Sequence, residues 1–363
     1  MSKLLDYVNW RGDLSFDKAP FNVIDAALFS QLTLFKLDNI IPENESRTLE
    51  DVFNGYLQYH SFDEKVGFLM TMCQNHIFKA MSQSPRFKEL KLSDFERIID
   101  EENICQFEAV TIDLGDELLI SYGGTDDSIV GWHEDFQLLY LEEILGHKYA
   151  RNYLKKICMK YDKQIIICGH SKGANLALET LLSIEDEIYD KIQFVYCFDG
   201  PGIGEKIYEN SHLEKRLKKA ISYLPYHSSI GKLFKHHENI KIVDSSAKFT
   251  YQHDIVNWNV DTNDFVYTLN FSDDSNYVDK FIKETLSKMS LEERKELVDE
   301  MFDLAYSTDA KTLKDLSERK FKLVKNYLKL PRKKKYFIKK ILLKKVFKDK
   351  RLRKIILSSF KRN

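Results

Sequence analysis

Glycine and proline are scarce in this chain of 363 residues, which contains 14 glycines and 6 prolines. This scarcity excludes collagen-like and low-complexity architectures. No apolar run approaches the roughly 18 consecutive residues of a membrane-spanning helix, so we expect none. The opening residues, Met1 to Asp6, lack an apolar stretch followed by a cleavage site, and we therefore predict no signal peptide.

Cysteines are few as well, since the chain has five that are scattered and never spaced as CxxC. This pattern predicts reduced thiols in the cytoplasm rather than a disulfide framework or a zinc site. The chain also lacks GxxxxGK[ST], a GxGxxG after a strand, and HExxH. We therefore expect no metal and no cofactor, and we disfavour phosphoryl transfer, dinucleotide redox chemistry and zinc proteolysis.

Charge is distributed unevenly, although the net charge is only −1. Residues 311–363 contain 22 Lys and Arg against 3 acidic residues, whereas the rest of the chain has 33 basic and 53 acidic residues. A basic arm on an acidic body indicates an anionic partner for the arm. That partner is a membrane surface, nucleic acid or the acidic body itself.

The basic arm also has an apolar side when it is drawn as a helix. A lysine-rich amphipathic helix favours binding at the surface of an anionic membrane, which would make the protein peripheral at the inner membrane face. The alternative is a helix that docks on the acidic body. Few aromatic residues are available for base stacking, so nucleic acid is less favoured. The apolar positions are Ile338, Ile341, Leu342, Val346, Leu352, Ile356 and Phe360.

Hydrophobic residues make up 43% of the chain, enough for a sizeable core. Short apolar runs that alternate with helical patterns predict a mainly parallel sheet with helices on both faces. The predicted strands are 107–113, 117–122, 164–168, 193–198, 220–224 and 240–243. The predicted helices are 26–32, 61–100 in large part, 135–145, 148–161, 174–184, 278–289 and 291–306.

The sharpest local signal is Gly169-His170-Ser171-Lys172-Gly173, which contains G-x-S-x-G between an apolar strand and a helix rich in small residues. A tight strand-to-helix turn lifts a serine into an exposed, strained position, and glycines relieve the crowding there. The motif predicts a nucleophile elbow with Ser171 as the nucleophile.

A serine nucleophile needs a histidine base and an acid to orient it. His253 follows the last predicted core strand, where the base of an α/β-hydrolase belongs. Asp199 ends the strand 193–198 and is the favoured acid, although it also suits a structural Asx turn. Asp244 and Asp254 are weaker alternatives.

Two further blocks carry a family resemblance: Gly123-Gly124-Thr125-Asp126-Asp127 and Gly131-Trp132-His133-Glu134-Asp135-Phe136. They resemble the "RGT…DW…D" block of class 3 lipases. Together with the elbow, the segment Gln252-His253-Asp254…Trp258 and the N-terminal segments 6–16 and 21–26, they make the chain similar to a bacterial family of α/β-hydrolases related to those lipases. The resemblance covers about residues 4–262 and implies an α/β-hydrolase-like fold.

The resemblance also implies site roles. Thr125 corresponds to the position that supplies half of the oxyanion hole, and the backbone N–H of Lys172 would supply the other half. Two departures stand out. Gly123 replaces the lipase arginine, and the stretch 224–231, where the related lipases carry their acid, contains no carboxylate. Either Asp199 substitutes for that acid or the site is a dyad.

We therefore expect a serine hydrolase of the esterase or lipase type that cleaves acyl esters, lipids included. The alternative is a catalytically weak or silent hydrolase fold that binds a lipid surface or a protein. An acyltransferase or thioesterase would use the same serine. We divide the chain into an N-terminal helical and loop segment (1–100), an α/β-hydrolase core (101–262), a helical part (263–310) and a basic amphipathic helical arm (311–363).

Overall fold

The computed structural model describes residues 2–67, 70–209, 213–338 and 349–359. Within these ranges, nine strands form one sheet and two short strands form a separate pair. The strands are β1 Ser46–Thr48, β2 Lys91–Asp100, β3 Cys105–Asp113, β4 Glu117–Tyr122, β5 Gln164–His170, β6 Ile192–Phe198, β7 Ala220–Pro225, β8 Asn239–Val243, β9 Val260–Asp261, β10 Asp264–Phe265 and β11 Tyr267–Thr268. The order in the sheet is β1-β2-β3-β4-β5-β6-β7-β8-β11, and β9 and β10 form the pair. From β4 to β8 each strand is parallel to its neighbour.

Helices cover both faces of this sheet, as the apolar runs predicted. The longer ones are α1 Leu4–Arg11, α2 Val23–Phe29, α3 Leu49–Tyr59, α4 Cys73–Gln83, α5 Ile129–Gln137, α6 Leu145–Lys160, α7 Lys172–Ser183, α10 Asp273–Leu286 and α11 Leu291–Tyr306. The short helices α8 Asp186–Tyr189 and α9 Leu213–Leu217 lie between β5 and β7 in the chain. One apolar core lies between the sheet and α1 to α4, and a second lies between the sheet and α6 and α7. The fold is α/β-hydrolase-like, with a mainly parallel sheet and helical layers.

The prediction of helix across 61–100 is confirmed only for α4, Cys73–Gln83, and it is wrong for the last ten residues, which form β2. Phe95, Ile98 and Ile99 have helical spacing in the sequence, but a bulge between Ser93 and Glu96 disturbs the alternation that marks a strand. Phe95 packs on one core and Ile98 on the other, as expected of a strand with two faces. Antiparallel pairing with β3 outweighs the local pattern.

The predicted helix 135–145 is wrong in its position, because α5 begins at Ile129 and ends at Gln137. Ser128 caps this helix, since its hydroxyl oxygen accepts a hydrogen bond from the N–H of Gly131 at 3.0 Å. The cap therefore sets the start of the helix six residues before the predicted position.

The first residues of the basic arm are hydrogen-bonded to the body through their backbone. The N–H of Ile129 donates to the carbonyl oxygen of Lys311 at 2.8 Å, and the N–H of Leu313 donates to that of Asp127 at 2.9 Å. Short helices follow as α12 Leu313–Glu318, α13 Lys320–Lys329 and α14 Arg332–Ile338, and the last described helix is α15 Lys350–Ser359.

Helix α15 docks on the acidic body, which was the alternative to membrane binding for this part of the arm. Leu352 and Ile355 are buried, and Arg351 Nη2 lies 2.8 Å from Asp274 Oδ1. The rest of the predicted apolar side lies outside the described residues, namely Ile341, Leu342, Val346, Phe360 and the side chains of Ile338 and Ile356. Among the residues that are described, we find no helix with the length and apolar character needed to cross a bilayer.

Candidate active site

The turn between β5 and α7 places Ser171 in a strained backbone conformation, with φ 56° and ψ −124°. The two glycines of the motif allow this turn. A Cβ on Gly169 would lie 2.3 Å from the backbone of Gly173, and a Cβ on Gly173 would lie 2.2 Å from the carbonyl oxygen of Tyr122. Larger residues would therefore separate the elbow from its neighbouring strand.

His253 lies next to Asp199, with 2.7 Å between His253 Nδ1 and Asp199 Oδ2. Both side chains are buried. A carboxylate can only accept this hydrogen bond, so Nδ1 carries the proton, and Nε2 of a neutral ring remains an acceptor. The pairing is the one that the sequence favoured over Asp244 and Asp254.

Asp199 is itself held by a residue that the sequence analysis did not single out. The hydroxyl of Ser228 donates to Asp199 Oδ1 at 2.6 Å. A Cβ on Gly231 would lie 2.4 Å from the same oxygen, so this position has to be small. Both residues belong to the stretch 224–231 that lacks a carboxylate, and this stretch supplies a hydrogen-bond donor to Asp199 instead.

The carbonyl of His253 is held by the histidine of the elbow. The Nε2–H of His170 donates to the carbonyl oxygen of His253 at 2.7 Å, and the two ring centres are 4.6 Å apart. Burial first, and then the neighbouring His253, lower the pKa of His170 well below its usual range. His170 therefore stays neutral and acts as a fixed donor.

The two other candidate acids have structural partners. Asp254 accepts hydrogen bonds from the N–H of Thr71 and from Gln74 Nε2, both at 2.9 Å. It thus ties the loop of His253 to the start of α4. Asp244 Oδ2 accepts from Asn259 Nδ2 at 2.5 Å.

The loop after β4 passes close to Ser171. A Cβ on Gly124 would lie 3.6 Å from the Ser171 Cβ, and the hydroxyl of Thr125 donates a hydrogen bond to the carboxylate of Asp135. Burial raises the pKa of Asp135 to about 6, although Lys172 and the Thr125 hydroxyl act in the opposite direction. The loop is thereby anchored to α5 at the edge of the predicted oxyanion hole.

Lys172 follows Ser171 at the first position of α7, and its side chain is buried. Its Nζ donates to the backbone oxygen of Gln106 at 2.7 Å and lies 3.0 Å from Glu134 Oε2. Burial alone lowers the pKa of Lys172, but the carboxylates of Glu134 and Asp135 outweigh it and raise this pKa overall. The sequence analysis missed this ion pair, since the spacing of 38 residues has no local signature.

A comparison with models of protein families identifies the family of this chain. Residues 81–303 match the model of the Mbeg1-like family, and this match spans more than half of the chain. The chain belongs to the Mbeg1-like family. The comparison with curated proteins gave no match.

Three solved structures illustrate what this Mbeg1-like chain is similar to. A mutant form of MDLA from Penicillium cyclopium is 12% identical and covers 66% of this chain and 82% of that chain, at a TM-score of 0.39. The Lip2 lipase of Yarrowia lipolytica is 13% identical and covers 44% of this chain and 67% of that chain, at 0.32. A deletion mutant of the Rhizomucor miehei lipase propeptide complex is 12% identical. The match covers 61% of this chain and 67% of that chain, at a TM-score of 0.36.

In this Mbeg1-like chain, a cavity of about 1600 Å³ brings together four of the predicted site residues. Ser171, Lys172, Thr125 and His253 all line it, and Asp199 lies behind His253. Of residues 201–219, which follow β6, only Pro201 lines the cavity among the described members. Residues from the ranges 230–234 and 306–314 also line the cavity.

Proposed function

We propose that this protein is a serine hydrolase of the esterase or lipase type, with Ser171, His253 and Asp199 as its catalytic residues. One observation carries the proposal. The imidazole of His253 is hydrogen-bonded to Asp199, with 2.7 Å between Nδ1 and Oδ2. It lines the same cavity as Ser171, which lies on the strained elbow. A serine, a histidine with an acceptor nitrogen, and a buried carboxylate are the parts that acyl transfer needs.

In this mechanism the Ser171 hydroxyl attacks the carbonyl carbon of an ester, and His253 Nε2 takes its proton. Asp199 stabilises the imidazolium that forms and keeps the ring oriented. The backbone N–H groups of Thr125 and Lys172 hold the oxyanion of the tetrahedral intermediate. His253 then protonates the departing alcohol, and a water molecule releases the acid from the acyl-enzyme by the same steps.

Acyl esters with an apolar chain are the substrate class that suits the cavity. Its wall includes Val130, Phe136, Leu139, Leu233 and Phe234. Burial of a hydrocarbon chain against such a wall gives about 0.8 kcal/mol per methylene group. We therefore include lipid esters among the proposed substrates.

The alternative of a silent hydrolase fold rested on the missing carboxylate in the stretch 224–231 and on the basic arm. The first argument weakens because Asp199 contacts His253 and receives a second hydrogen bond from Ser228. The same serine could also transfer an acyl group to an acceptor other than water, which would use an identical acyl-enzyme.

The test is hydrolysis of p-nitrophenyl esters of increasing chain length by wild type, Ser171→Ala and His253→Ala. We expect wild type to release p-nitrophenol and both variants to lose this activity by about a thousandfold or more. Ser246→Ala, which changes an exposed serine, is the matched control and should retain full activity. Hydrolysis that survives in Ser171→Ala would contradict the proposal.

A further inference from the structure

The strongest unexplained surface feature is the outer side of α13, where three large apolar side chains face solvent. Phe321 is 80% exposed, Val324 is 55% exposed and Leu328 is 65% exposed. At about 100° per residue, the three fall within an arc of about 60° on the helix. We call these three residues the outer stripe of α13.

The opposite side of α13 fixes its orientation on the body. Asn326 Nδ2 donates to the carbonyl oxygen and the hydroxyl of Ser307 at the end of α11, both at 2.9 Å. Leu323 and Tyr327 on the inner side are half-buried. The outer stripe therefore points away from the protein because the helix is attached by its other side.

Lysines flank the stripe. On the helical projection, Lys320 lies about 40° to one side of it and Lys325 about 40° to the other, with Lys329 beyond. All three are exposed. The chain has no Asp or Glu between Arg319 and Lys348, so the neighbourhood of α13 in the sequence is uniformly basic.

We propose that the outer stripe of α13 and its flanking lysines bind the surface of an anionic membrane. An apolar stripe between cationic flanks fits the boundary between acyl chains and phosphate groups, where the stripe is desolvated and the lysines reach the phosphates. Nucleic acid offers phosphates but no apolar layer for Val324 and Leu328. This inference goes beyond the proposed function, since it needs no activity of Ser171.

The chain segment just before α13 lines the cavity. Thr312, at the start of α12, pairs with Ser128, and Lys311 and Lys314 line the cavity. Lys314 belongs to α12, Leu313–Glu318, which directly precedes α13 in the chain. If Ser171 is active, which rests on the proposed function, the ester that reaches it is a membrane lipid.

The test is co-sedimentation of the full chain with phosphatidylcholine vesicles that do or do not contain phosphatidylglycerol. We expect binding only to the anionic vesicles, and weaker binding as salt increases. The variant with Phe321→Gln, Val324→Gln and Leu328→Gln should bind at least about a hundredfold more weakly. Glutamine is a good helix former, so the exposed side of α13 should remain folded.

A matched control changes three apolar residues that are exposed elsewhere on the body. The variant with Met159→Gln, Leu269→Gln and Leu291→Gln should bind vesicles as wild type does. Replacement of the flanking Lys320 or Lys325 by Gln should weaken binding by about fivefold for each lysine.

Three outcomes would overturn the proposal. Wild type would fail to bind anionic vesicles, or the stripe variant would retain salt-sensitive binding, as expected if the basic charge alone binds the anionic lipid. Alternatively, light scattering would show a dimer that the stripe variant loses, which would make the stripe a contact between two copies. Ser171→Ala should bind vesicles unchanged, so failure of the proposed hydrolase function would be recognised separately.

Discussion

His253 Nδ1 and Asp199 Oδ2 lie 2.7 Å apart although the two residues are separated by 54 positions in the sequence. The contact is made between the end of β6 and the loop that follows β8. It gives the buried histidine one defined tautomer and one defined orientation. The proposed serine hydrolase chemistry depends on this contact.

Loss of the Asp199 charge should remove most of the activity without unfolding the chain. We expect Asp199→Asn to lower kcat by about 10⁴-fold, because an amide at this position favours the wrong tautomer of His253. Asp244→Asn is the matched control, since that carboxylate binds Asn259 and should leave kcat unchanged. Equal effects of the two substitutions on ester hydrolysis would contradict the role of Asp199.

Ser228 should act through Asp199 rather than on substrate. Ser228→Ala removes the 2.6 Å hydrogen bond to Asp199 Oδ1, and we expect kcat to fall by roughly tenfold to a hundredfold with KM little changed. Ser229→Ala, one position further on, is the control. A change confined to KM would show that Ser228 contributes to binding and not to the orientation of the acid.

The buried pair of Lys172 and Glu134 should contribute strongly to stability. Lys172→Met leaves Glu134 without its cation, and we expect the free energy of unfolding in urea to fall by about 3–5 kcal/mol. Adding Glu134→Gln should restore part of this loss. Lys295→Met, which breaks an exposed pair with Asp299, should cost no more than about 1 kcal/mol. Similar losses in Lys172→Met and Lys295→Met would refute the prediction.

The raised pKa of Asp135 predicts a specific pH dependence of stability. Its pKa is about 6 in the folded chain against 3.8 ordinarily, so the folded chain binds more protons between these two values. The contribution of Asp135 to stability therefore falls as the pH rises through this window.

Asp135→Asn cannot titrate, so it should gain stability relative to wild type between about pH 4 and pH 7. Urea unfolding of both proteins at the two pH values measures this difference, and all other carboxylates cancel in the comparison. A difference that is independent of pH would mean that Asp135 titrates normally.

Local patterns were sufficient to predict most of the sheet. The apolar runs before Ser171 and before Asp199 correspond to β5 and β6, and the glycines around Ser171 predicted the strained turn. The strand β2 was missed, because its bulge gives Phe95 and Ile98 a helical spacing. What identifies β2 is its pairing with β3, a contact that no single segment encodes.

Relations between distant segments limited what could be predicted at the site. The sequence offers three candidate carboxylates for the acid, namely Asp199, Asp244 and Asp254. Only the packed structure shows which of them contacts His253. No sequence motif predicts the hydrogen bond from Ser228 to Asp199. The orientation of the arm likewise depends on tertiary contacts, since Leu352 is buried whereas Phe321 faces solvent.

The most direct measurement is labelling with a fluorophosphonate, followed by mass spectrometry of the labelled peptide. We predict one adduct on Ser171 in wild type, none in Ser171→Ala, and much slower labelling in His253→Ala. The absence of an adduct under conditions in which a control lipase reacts, or an adduct on a different residue, would contradict an activated serine at this elbow.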